Sequence, residues 1–101
     1  MIVLRPGVTA EAPIFTRTHD SSNVVRLELT LERTESATFS IVVTTGGGDV
    51  VHNVPEIYVE HADRMDFDVQ VERLKAGDYQ VILTRISREP GVVGTFYFRV
   101  Q

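Results

Sequence analysis

Cysteine and tryptophan are missing from these 101 residues, and lysine occurs once, at Lys75. Without cysteine there is no disulfide staple, zinc ribbon or thiol nucleophile. Small secreted domains often depend on disulfides, so their absence leans toward a reducing or an assembled setting. Without tryptophan the chain lacks the ring that would stack on a sugar. No apolar run approaches the length of a membrane span. The opening MIVLRPG offers three apolar residues after Met1 before Arg5 and Pro6, too few for the apolar region of a signal peptide, and Ile2 excludes N-myristoylation. A basic stripe for duplex binding is missing too: 10 cations stand against 14 carboxylates, leaving a net charge of −4. The expectation is a soluble protein, of unassigned location, that binds neither nucleic acid nor membrane.

Helical periodicity is also absent. What recurs is alternation, bounded by turn residues about every ten positions, the pattern of a β-sandwich or barrel. Met65, Phe67, Val69 and Val71 point one way, and Asp66, Asp68, Gln70 and Glu72 the other. Val25, Leu27, Leu29 and Leu31 alternate in the same manner with Arg26, Glu28, Thr30 and Glu32. The predicted strands are 2–5, 13–18, 24–33, 37–45, 50–60, 65–73, 78–87 and 94–101. Pro55 cannot donate to a ladder, so it marks an edge strand or a strand that changes sheet. Pro6-Gly7 and Pro90-Gly91 suit type II turns, and Asp20–Asn23 and Ala76–Asp78 are further breaks. At 101 residues and 43% hydrophobic, the chain is long enough for one domain with a real core, spanning 1–101.

One residue of LKAGDYQVILTRI needs its own account. Tyr79 stands two positions after Gly77, at the head of an aliphatic strand. Leu74, Gly77, Asp78, Tyr79, Val81 and Leu83 resemble the corner of immunoglobulin-like and fibronectin-III-like domains. There a tyrosine at the start of the penultimate strand bonds back to the chain just upstream. The resemblance implies an antiparallel immunoglobulin-like β-sandwich of seven to eight strands, with Tyr79 as a structural corner. Departures are the missing cysteine pair and tryptophan, and Leu74 standing one position nearer the tyrosine than is usual. The same stretch, with Glu89-Pro90, Gly94, Phe96 and Arg99-Val100, also resembles the closing hairpin of the calpain C2-like domain. That likeness implies a regulatory binding module, and it covers one hairpin.

Catalytic equipment is sparse. In Thr44–Val50 three glycines are followed by Asp49 and a strand, where a phosphate loop needs a helix, so this is a hairpin turn. His19, His52 and His61 have no metal-ligand spacing, and no nucleophile elbow appears. Asp63, Asp66 and Asp68 raise a calcium hypothesis, but two of them are predicted on a strand's solvent face, where oxygens do not converge. No cofactor or metal is expected, and no enzyme.

The two outer faces differ. In an immunoglobulin-like order, 24–33 and 65–73 share a sheet whose outside is hydrophilic throughout. The sheet of 37–45, 78–87 and 94–101 would show Val42, Ile82, Ile86, Tyr97 and Arg99 outward, with Val92 and Val93 in the adjoining loop. Contiguous apolar patches mark contacts, and tyrosine and arginine beside aliphatics is an interface composition. A protein partner (self or a larger assembly) and self-covering by 9–23, with Ile14 and Phe15, both remain open, and a one-residue slip would invert the assignment. The expected function is a non-enzymatic structural or interaction module, a subunit of an assembly such as a virion or phage accessory protein. The alternative is a C2-like, calcium-responsive module.

Overall fold

The structure, a computed structural model, describes residues 2–5, 13–15, 24–87 and 89–101, with the backbone alone for Ile2, Glu32 and Glu35. The strands are β1 (Ile2–Leu4), β2 (Ile14–Phe15), β3 (Val24–Thr45), β4 (Val50–Gln70), β5 (Gly77–Arg85) and β6 (Gly91–Val100). A single 3-10 turn, Val71–Arg73, follows β4. Together they make one mixed, curled sheet in the order β1-β3-β5-β6-β2, with β4 along the other side of β3. The fold is all-β.

Six strands occur among the described residues where seven to eight were expected, because two expected breaks are continuous. The segment Glu32–Ser36 contains no glycine or proline to stop a strand, so the backbone stays extended and absorbs its surplus as bulges. Between the pairs Thr30↔Arg64 and Glu35↔Ala62, β3 carries four residues against one on β4. Across this irregular stretch His61 adopts φ 49°, and its amide donates to Ser36 Oγ at 2.9 Å. At full extension 22 residues would run about 73 Å, whereas the longest dimension of the molecule is 42 Å. The strand must therefore bend at 31–37.

The bend preserves the alternation. Val25, Leu27, Leu29 and Leu31 before it, and Ala37, Phe39, Ile41 and Val43 after it, all enter one core. The two halves of the β3–β4 hairpin thus face one another. Leu4, Met65, Phe67 and Val69 fill one side, and Tyr79, Val81, Leu83, Phe96, Phe98 and Val100 the other. Each fully buried large aliphatic or phenyl side chain here contributes about 1.5–3 kcal/mol relative to exposure. On β4 a bulge at Pro55-Glu56, between the pairs Phe39↔Ile57 and Ile41↔Val54, switches parity. Val59 and Ile57 pack inward on odd numbers and Val54 on an even one.

The wholly antiparallel arrangement is corrected at both N-terminal strands. β1 runs parallel to β3, Ile2↔Leu27 to Leu4↔Leu29, and β2 parallel to β6, Ile14↔Arg99 and Phe15↔Val100. Neither strand reaches its partner through a hairpin, so no turn imposes an antiparallel direction. Three boundaries also move. Residues 71–73 leave the strand for the 3-10 turn, β5 stops at Arg85, and β6 begins at Gly91. Gly91 has φ 158°, a positive value that side chains disfavour but far from the roughly 80° of a type II turn, so the expected turn there is replaced by the opening of β6. The turns at Pro6-Gly7 and Asp20–Asn23 lie outside the described residues, as do 16–18.

Candidate functional site: an uncharged sheet face

The face expected to bind is built by the second half of β3 with β5 and β6, and the first half of β4 adjoins it. Its rows follow from the register. Asn53, Val42, Ile82 and Thr95 form one row, and Val50, Thr44, Gln80 and Tyr97 the next. Ser40, Thr84 and Val92 form a third. None of these side chains is charged, but the exposed bulge residues Pro55 and Glu56 stand opposite Ser40 at the β4 end of the third row. Val42, Ile82 and Tyr97 are half-buried, Ile86 is 44% exposed and Val92 65%. Charge appears at the rim, where Arg99 Nε donates to Asp78 Oδ1 at 2.7 Å.

One of the expected residues falls elsewhere. Val93 is the bulge residue between the pairs Leu83↔Gly94 and Thr84↔Val92, and it packs against the core. Arg99 lies outward beside Tyr97, at the rim of the face, in the ion pair with Asp78. The face also has members that alternation did not find. Tyr58, paired with Thr38, and Val50 are each 63% exposed. Their outward placement depends on the bulges near Pro55 and Val51, for which Pro55 was the one visible signal. Thr44 sits within the face yet is buried, and its Oγ1 has no hydrogen-bond partner. The described part of the 9–23 segment is an edge strand beside β6, where the amides of Arg99 and Gln101 donate to the carbonyls of Pro13 and Phe15, each at 2.9 Å. Phe15 packs against the core and Ile14 is 56% exposed. Residues 13–15 therefore extend the sheet instead of lying across the face.

The opposite face is as polar as expected. Arg26 stands across from Asp68, its Nε donating to Oδ1 at 3.0 Å, and 3.9 Å from Asp66 Oδ2. The hydrogen bond and charge of Asp68, then the charge of Asp66, hold the guanidinium above its ordinary value. The two aspartates thus flank a cation of the chain itself, and Asp63 pairs with Arg64 at 3.6 Å. Among the described residues, no three His, Asp or Glu side chains gather as metal ligands.

Tyr79 sits at the corner. Its ring is buried, stacked on Phe98 at 5.1 Å, and its hydroxyl donates to the carbonyl of Lys75 at 2.7 Å. That bond pins the 74–78 turn to the head of β5. Beside it the glycine loop closes as a hairpin turn: the amide of Gly48 donates to the carbonyl of Thr45 at 3.0 Å, and Gly48 has φ 95°. Loop and corner flank an open cleft of about 550 Å³, with Arg73 and Lys75 against Asp49 and Asp78. Mixed charge and no nucleophile–base pair give this cleft no evident chemistry. His52 lies on the inner side, its ring stacked 5.8 Å from Phe67 across the core, and His61 occupies the strained bulge. His19 lies outside the described residues. No helix among the described residues is long and apolar enough to cross a membrane. Comparison with protein-family models, with curated proteins and with solved structures found no match to this chain.

Proposed function

We infer that the chain is a non-enzymatic interaction module, an immunoglobulin-like or fibronectin-III-like sandwich that binds protein through the face centred on Ile82. Support for the sandwich comes from the pairing scheme: 24–30 with 64–70 on one side, and 50–59, 38–45, β5 and β6 in sequence on the other. The corner hydrogen bond of Tyr79 adds to it. The binding reading rests on one observation, the contrast between the two outer faces. One carries Arg26, Glu28, Arg64, Asp66 and Asp68, and the other carries no charge across two full rows, with Glu56 entering only at the β4 end of the third. Aliphatic and tyrosine side chains among threonines suit a contact that excludes water. Repeated use of such a face fits a subunit of a larger assembly, of which a virion or phage particle is one kind.

The test is the native mass by light scattering across a range of concentrations. A mass well above 11.3 kDa that returns to the monomer on Ile82→Asp supports self-assembly through this face. A desolvated aspartate at an interface centre costs several kcal/mol, whereas half-burial in the monomer leaves the fold standing. Unfolding of that variant would place Ile82 in the core and sink the reading.

A further inference from the structure

A separate surface, the free side of β4, has its own recognition chemistry. β4 is laddered to β3 along one side, and among the described residues no strand pairs with its other side. The two halves of this edge are not equivalent. From 50 to 62 the edge is interrupted by Pro55, which has no N–H, and by repeated register shifts. Those are the devices that keep edge strands from pairing. From 64 to 70 the pairing with 24–30 is unbroken, and the stretch Arg64–Gln70 contains neither proline nor glycine. About 23 Å of regular edge therefore presents backbone donors and acceptors on its free side.

The side chains of this stretch state what would fit. Met65, Phe67 and Val69 face the core, and Arg64, Asp66, Asp68 and Gln70 are exposed. Arg26 meets Asp68 and Asp66 from the β3 side. A strand added on the free side would stand to β4 as β3 does, so a cation opposite Asp68 would mirror Arg26. A second copy of this edge fits poorly. Antiparallel pairing over the whole of 64–70, centred on Phe67, sets Asp66 against Asp68 of the other copy. Centring on Asp66 or Asp68 sets that aspartate against itself, and Arg64–Asp68 pairs accompany the first of these. Centring on Met65 pairs Arg64 with Asp66 but uses only 64–66 of the regular edge. Like charges directly opposite are destabilising, and an odd shift would put core residues on the outer face.

We propose that the edge of β4 from 64 to 70 accepts an extended segment of a partner protein as an added strand, with Lys or Arg opposite Asp66 and Asp68 and apolar residues between. This is strand addition, with backbone bonds giving affinity and alternate side chains giving specificity. It does not depend on the Ile82 face.

The probe is the blocked peptide Thr-Val-Lys-Val-Lys-Val-Thr, followed by amide hydrogen exchange on the full chain. Amides of 64–70 that point away from β3 exchange quickly in the free protein and slow at least tenfold with peptide. Asp68→Asn weakens binding at least threefold, and the glutamate counterpart of the peptide does not bind. Equal binding by a peptide N-methylated at alternate valines would mean charge attraction without a ladder and would overturn the proposal. So would slow exchange at every amide from 64 to 70 in the free protein, which would mean that the edge is already paired.

Discussion

At the scale of the residue, Tyr79 does two separable things. Its ring fills core space against Phe98, and its hydroxyl satisfies the Lys75 carbonyl. Tyr79→Phe keeps the first and loses the second, so it should cost about 1–2 kcal/mol, in line with a lost bond and a carbonyl left short of a partner. Tyr79→Ala loses both and should cost about 3–5 kcal/mol. Urea midpoints at an unchanged slope measure the two, and a Phe variant equal to wild type would deny the hydroxyl any part in holding the corner. This residue was legible because a lone tyrosine after a glycine turn, ahead of alternating aliphatics, has few other reasons to be there. Thr44 was not, since nothing in Val42-Val43-Thr44-Thr45 distinguishes a buried hydroxyl from an exposed one.

Among the elements, turns and bulges carry the fold. The 45–49 turn needs a left-handed residue at Gly48, where an added Cβ would meet nothing within 4 Å. Gly48→Ala should therefore cost backbone strain alone, about 1–2 kcal/mol. Gly47→Ala, at a position without that conformation, should be neutral or stabilising by up to about 1 kcal/mol through the unfolded chain. Thermal midpoints of the two variants make the comparison, and equal losses would show that the turn does not discriminate between them. Alternation located the inward residues of β3, β5 and β6 correctly, because period two reports the burial of one face directly. It missed the continuity through 32–36 and 61–64. A bulged strand and a turn carry the same polar residues there, and pairing across the hairpin decides between them.

For the whole molecule, the two halves of the curled sheet meet where His52 stacks on Phe67. Burial, and then the positive charge of Arg73, hold the His52 imidazole below its ordinary value of 6.5. The unfolded chain therefore takes up this proton at a higher pH than the folded one. The contribution is fully present above pH 6.5 and is lost as pH falls toward the depressed folded value. Urea midpoints measured from pH 8 down to pH 5 should fall more steeply in the wild type than in His52→Phe, which keeps a stacking ring and cannot titrate. Parallel curves would remove His52 from the pH response. The asymmetry of the outer faces also belongs to this scale, since each face is assembled from strands distant in sequence.

The sequence by itself determined the all-β class, the inward and outward sets along each regular strand, the glycine hairpin and the position of Tyr79. These follow from local stereochemistry: the two-residue period of an extended chain, the backbone freedom of glycine and the lack of a donor on proline. Only the tertiary structure decided that β3 and β4 run unbroken through their bulges and that the two short N-terminal strands lie parallel to their partners. It alone added Tyr58 and Val50 to the face while packing Val93 against the core. Those outcomes depend on which backbone group pairs with which across tens of residues. A register shift costs a few hydrogen bonds locally and reverses the facing of every side chain beyond it, so it is settled by the core that the whole sheet closes around.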